Sequence, residues 1–167
     1  MPPEDNTAKA LACYGLYLPE APAKQQSEQI KQQSEQIKQQ SEQMLLRFVA
    51  GRPVSGVTCA FLEWVCAGVA AMGKAVLVLF WDSASWHISR QVQQWIKAHN
   101  KAAKQHGGLR LLVHRLPTKS PWLNRIEPKW VHGKRAVLEP ERVLSAQELA
   151  GRLCGYYACE HLEHLKQ

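Results

Sequence analysis

The chain holds two aspartates, and one of them closes its most hydrophobic run: residues 76–87 read VLVLFWDSASWH, with Asp82 directly after six apolar residues. In open α/β sheets ligands collect outside the carboxyl ends of the strands, so a carboxylate placed there is poised to hold a cation or exchange a proton. The competing reading is a structural one, in which Asp82 caps the helix that DSASWHIS enters. A second carboxylate, Glu127, lies in LPTKSPWLNRIEPKWVHGKR at 116–135. It follows Asn124, a favourable N-cap residue, by three positions and immediately precedes Pro128, which puts it in the first turn of a helix. The helix dipole favours the ionised form at that point, and an ionised carboxylate is what Mg²⁺ binds. A helix cap on a basic face is the competing reading for Glu127.

Around Glu127 stand Lys119, Arg125, Lys129, Lys134 and Arg135, with Trp122 and Trp130 interleaved. From Arg110 to Arg135 seven Lys and Arg face a single acid, so nearly all of the formal charge of +7 is concentrated in this window. Positive charge gathered in this way suits a polyanion whose phosphates must be neutralised, and these five cations are the candidate nucleic-acid contacts. A merely solubilising basic face is the alternative.

The elements that must carry these groups alternate. KALACYGLYL (9–18) and QMLLRFVAG (43–51) are short apolar runs bounded by Pro or Gly and are predicted strands, joined as a hairpin with an enlarged loop. Ser55 is the predicted N-cap of a helix running to about Met72, with Val57, Phe61, Trp64 and Gly68 on one face. AVLVLFW (75–81) lacks polar alternation, which predicts a strand buried on both faces. The pattern Val92, Trp95, Ile96, His99 marks an amphipathic helix stopped by Gly107-Gly108, followed by LRLLVHRL (109–116) as a strand. Strand, helix and strand in that order make a parallel crossover. Ser145 and Glu148 form a capping box that opens a last helix bearing Leu149, Leu153 and Tyr156 or Tyr157. The fold class is α/β.

Residues 24–44 read KQQSEQI KQQSEQI KQQSEQM, with one apolar residue per heptad at Ile30, Ile37 and Met44. A coiled coil needs two, so the repeat reads as a polar, tandemly duplicated insertion exposed between two strands, with a dimerisation arm as the alternative. Five cysteines show no framework spacing, and no signal peptide or long apolar span is present, which predicts a reduced cytoplasmic chain with no membrane partner. Cys154, Cys159, His161 and His164 match no common zinc-ligand spacing.

The two acidic stretches together resemble a known family. An apolar strand ending in Asp-Asn-Ala-x-x-His, a helix and a strand, then Ser-Pro-x-Leu-Asn-Pro-Ile-Glu-x-x-Trp, is the signature of DDE-type insertion-sequence transposases of the mariner-like superfamily. Here the corresponding residues read WDSASWH and SPWLNRIEPKW. The resemblance covers the chain from about Lys9 to its end, apart from the heptads. It implies a ribonuclease-H-like mixed sheet flanked by helices, DNA as partner at element ends and target, and Mg²⁺ or Mn²⁺ as cofactor. It implies three metal-binding acids, of which Asp82 matches the second and Glu127 the third. Two ions about 3.5–4 Å apart would activate the attacking oxygen and stabilise the leaving one.

This sequence departs from the pattern at Ser83, where the family has Asn, at Arg125, where it has Pro, and in the 44 residues between Asp82 and Glu127. The family's first Asp lies on an initial strand ahead of the equivalent of Lys9, and Asp5 stands too close to the first predicted strand to occupy one of its own. The expected organisation is therefore an unstructured start at 1–8 and a partial catalytic domain at 9–167, lacking the first strand and interrupted at 24–44. The expected function is a transposase catalytic-domain fragment, inactive alone, nucleoid-associated when bound to DNA, and pairing with full-length transposase or with itself. A non-catalytic DNA-binding or assembly remnant, and an independent metal-dependent nuclease, are the alternatives.

Overall fold

The computed structural model describes residues 11–19 and 43–166. The expected start at 1–8 and the heptads up to residue 42 lie outside the described residues. Strands β1 (Ala12–Leu18) and β2 (Gln43–Val49) pair antiparallel, with Gly15 opposite Leu46, as the hairpin reading requires. The end of the repeat is part of the fold: Gln43 and Met44 open β2, and Met44 is buried. The last heptad thus donates its apolar residue to the core.

Helix α1 (Ser55–Ala71) buries Val57, Thr58, Phe61, Leu62, Val65, Cys66 and Val69, the three- and four-residue recurrence of one helical face. Its N-cap is Val54 and no side chain caps it, so Ser55 is the first helical residue and not the predicted cap. Trp64 is half-buried and Gly68 exposed, so the buried stripe is rotated from the predicted one.

Strand β3 (Val76–Trp81) leads through the single turn α2 (Ser85–Ile88) to helix α3 (Arg90–His106). The Ser89 side chain caps α3 by accepting from Val92 N, and Gly107 and Gly108 end it with φ of 74° and 123°, a region that disfavours any residue with a Cβ. Strand β4 (Arg110–Arg115) then pairs parallel with β3, Leu79 opposite Val113, completing the predicted crossover. A 3₁₀ turn (Pro121–Leu123) precedes α4 (Glu127–Val137), and α5 (Ala146–Tyr157) follows. Both halves of the Ser145–Glu148 capping box form.

One expected feature is reversed. Strand β3 is covered on one face alone: Leu77, Leu79 and Trp81 join the α1 core, whereas Val76, Val78 and Phe80 are exposed. The ribbon covered on both faces is β1–β2. Tyr14 and Leu16 meet α1 on one side, while Met44, Leu46 and Phe48 form a second core with Val137, Ala150, Leu153 and Cys154 of α4 and α5. An unbroken apolar run records no burial by itself, because burial depends on which elements fold over it.

The strands also do not form the single mixed sheet that was expected. Among the described residues they make two two-stranded sheets, β1–β2 and β3–β4. The outer edges are closed. On β4 the Asn100 amide donates to Leu111 O and accepts from Leu111 N, both at 2.8 Å, and His99 Nε2 lies 2.9 Å from Leu109 O. On β2, Leu165 N donates to Phe48 O at 2.8 Å and Ala50 N to Leu165 O at 2.9 Å. Among the described residues no backbone bond joins β1 to β3, although their side chains share one core.

Candidate functional site

Asp82 follows β3 directly, and its carboxylate is 57 % exposed. Oδ1 accepts from Ala84 N at 3.0 Å and from His87 Nδ1 at 2.8 Å. An ionised carboxylate only accepts, so Nδ1 carries the proton in this pair. The imidazole is held from several sides: it stacks on Trp81 with ring centroids 4.8 Å apart and planes 2° from parallel, and it lies beside Tyr14 and Trp86. Asp82 does not cap α2, whose N-cap is Ala84 with no side-chain cap bond. Its carboxylate organises the turn into α2 through Ala84 N, and the same group is braced by a fixed histidine and open to solvent.

Sequence reasoning gave His87 no role of its own. The available signal was its position five residues after Asp82, within reach across a single helical turn.

Glu127 is the first residue of α4, which places it in the first turn as predicted, with Pro128 next. The N-cap is Ile126 and not Asn124. Asn124 serves the carboxylate instead, with Nδ2 3.4 Å from Glu127 Oε1, and Glu127 N donates to Asn124 O at 3.0 Å. Glu127 is half-buried and lines a cavity of about 320 Å³ with Leu11, Cys13, Trp130 and Lys134. Helix α4 is seated by Gly15 of β1, where Trp130 and Ile126 approach so closely that a Cβ has no room. A glycine in the strand is what lets this helix start close to the sheet.

The segment from 116 to 126 connects the two acids. Leu116 N donates to Trp81 O at 2.8 Å and Ser83 Oγ reaches Leu116 O at 3.5 Å, so the segment leaves β4 beside Asp82 and ends at Glu127. The candidate cations distribute along and beyond it. Lys119 and Arg125 are exposed, Lys119 in the left-handed region at φ 61°. Arg125 and Lys129 both lie over the Tyr17 ring, at 5.9 and 5.1 Å from its centroid. Lys134 and Arg135 are exposed in the last turns of α4. The two tryptophans separate: Trp130 packs against Tyr157 and Gly15, whereas Trp122 is 76 % exposed.

Asp82 and Glu127 offer hard oxygen donors, the chemistry that Mg²⁺ and Mn²⁺ select. Among the described residues no group of three or more His, Cys, Asp or Glu converges as a metal site. Each carboxylate has the donor chemistry for such an ion, whose remaining positions water and phosphate oxygens can fill. Cys154 and Cys159 adjoin one another, and His161 and His164 pack on Phe48. Burial raises the Cys154 thiol to about 12, with the neighbouring Cys159 adding to the effect.

A family model described as DDE superfamily endonuclease matches residues 37–150, a span that holds both acids and the basic segment between them. No curated relative matches the chain, and no solved structure matches it. Among the described residues no helix is long and apolar enough to cross a membrane.

Proposed function

The chain belongs to the DDE superfamily endonuclease family, and from that premise we propose that it is a transposase-type catalytic module of the mariner-like kind. Its substrate is DNA, at the ends of a mobile element and at the target. Asp82 and Glu127 are the residues that hold divalent metal. The observation that carries this reading is the path of residues 116–126, which leaves the Asp82 turn and delivers Glu127 at the head of α4 through a run bearing Lys119 and Arg125.

Bound metal would lower the cost of charge on the attacking and leaving oxygens. The protein's own share is orientation. His87 fixes one oxygen of Asp82 and leaves the other for a ligand. Asn124 steadies Glu127, and the cations hold the phosphate backbone in place. Two carboxylates leave a two-metal site one bridging acid short, so the 167-residue chain by itself binds metal and DNA but does not cut. A carboxylate from outside the described residues, in this chain or in a partner transposase, completes the set.

A strand-nicking assay on inverted-repeat DNA with Mg²⁺ or Mn²⁺, run beside Asp82→Ala, tests this. No nicking by the chain alone, with metal binding lost in the variant, is the expected result. Nicking that Asp82→Ala abolishes would overturn the need for a further acid. The reading of a DNA-binding remnant without catalysis is favoured by the absence of a three-residue acidic group among the described residues. It predicts that Asp82→Ala leaves metal binding unchanged.

A further inference from the structure

Trp122 is 76 % exposed, although a large apolar ring gains from burial and this molecule buries or half-buries Trp64, Trp81, Trp86, Trp95 and Trp130. Its exposure is not that of a loose loop. Trp122 sits in the 3₁₀ turn Pro121–Leu123, closed by Leu123 N donating to Ser120 O at 3.1 Å and Asn124 N to Pro121 O at 3.0 Å. Pro117 and Pro121 stiffen the approach, and the segment is tied at one end beside Asp82 and at the other to Glu127. Three residues before the indole stands exposed Lys119, and three after it exposed Arg125.

A rigid aromatic face flanked by two cations is the arrangement with which proteins grip unpaired nucleic acid: every base has a π face to stack, and every nucleotide a phosphate to neutralise. An indole cannot stack on a base inside an intact duplex, because both faces of that base are already covered. We propose that Trp122 is a stacking platform for an unpaired base of DNA, with Lys119 and Arg125 holding the phosphates on either side. The inference rests on the reading of the chain as a DNA-processing module and adds to it a preference for open DNA ends next to the two acids. A protein partner seated on the same indole is the competing occupant. The density of positive charge around it, seven cations to one acid over 110–135, favours nucleic acid.

The test compares two probes, a short duplex carrying a single-stranded thymidine overhang and the same duplex blunt-ended, titrated against the 167-residue chain and its Trp122→Ala and Trp122→Phe variants. Trp122→Ala should weaken overhang binding roughly tenfold while blunt-duplex binding stays within about twofold, and Trp122→Phe should keep most of the affinity. Equal losses on both probes, or no loss on either, would overturn the proposal. So would a change in self-association of Trp122→Ala by light scattering, which would assign the indole to a protein contact. If the unsubstituted chain bound neither probe, the DNA reading itself would fall, an outcome distinct from loss of the overhang preference alone.

Discussion

His87 Nδ1 lies 2.8 Å from Asp82 Oδ1 while the imidazole stacks flat on Trp81, the residue that immediately precedes the carboxylate. The strand end therefore positions its own acid twice, through the backbone and through a ring returned by the next turn. Outer-shell partners of this kind typically govern metal affinity by 10–100-fold. His87→Ala should weaken Mn²⁺ binding by about that factor, read by calorimetry, whereas His87→Asn, which keeps a side-chain N–H, should recover part of it. An unchanged affinity in His87→Ala would remove the histidine from the site.

Gly15→Ala addresses the second acid without touching it. A Cβ at this position meets the Trp130 ring and the end of Ile126, so α4 must lift from β1. Overpacking of this sort costs about 1–3 kcal/mol, roughly 2–4 °C of melting temperature for each kcal/mol in a chain of this size. Calorimetry should show that loss, and metal affinity should fall with it because Glu127 opens the displaced helix.

Salt titration separates phosphate contacts from charge that merely keeps the protein soluble. Lys119→Ala and Lys134→Ala should each weaken duplex binding and reduce the slope of log affinity against log salt by about one. A slope that is flat from the outset would identify the basic segment as a solvated face.

Alkali should unfold the protein earlier than its charge alone dictates. Burial raises the Cys13 thiol to about 12, with Cys154 and Cys159 adding to it, and burial alone raises Cys66 to about 11. Cys154 also stands at about 12. In the unfolded chain these thiols return to their ordinary value near 9. The folded state then holds the extra protons between the two values, so stability is complete below about pH 9 and is lost as pH climbs through 11 and 12. Urea midpoints measured from pH 8 upward (~one pH unit above neutral, where thiols begin to ionise) should fall, and fall less steeply in Cys66→Ala.

Local signals in this sequence were readable and long-range ones were not. The Ser145–Glu148 box, the Gly107-Gly108 stop and the β1–β2 hairpin depend on neighbours in the chain or on one antiparallel pairing, and they form as predicted. Ser55 misleads because the extended Val54, whose carbonyl accepts from Thr58 N, already holds the cap position. The exposed face of β3 was invisible because Val76, Val78 and Phe80 have the composition of a covered strand, and only the placement of α4 and α5 over the other ribbon decides otherwise. Of the site, the two acids and their cations were legible as residue types. The His87 brace and the different fates of Trp122 and Trp130 were not, since each depends on which surface folds against it.

The break between β1 and β3 bears on how stiffly the chemistry is held. Asp82 rides on the β3–β4 pair, and Glu127 rides on a helix docked to β1–β2. With no hydrogen-bonded ladder across the seam among the described residues, the distance between the carboxylates is set by side chains packed on α1 and by the tether of residues 116–126. Side-chain packing yields to shear more readily than a ladder does. The two acids are therefore mounted on a compliant frame, and whatever strand or ligand spans the seam would act as a spacer gauge for the proposed metal site, tuning its width without contacting either acid.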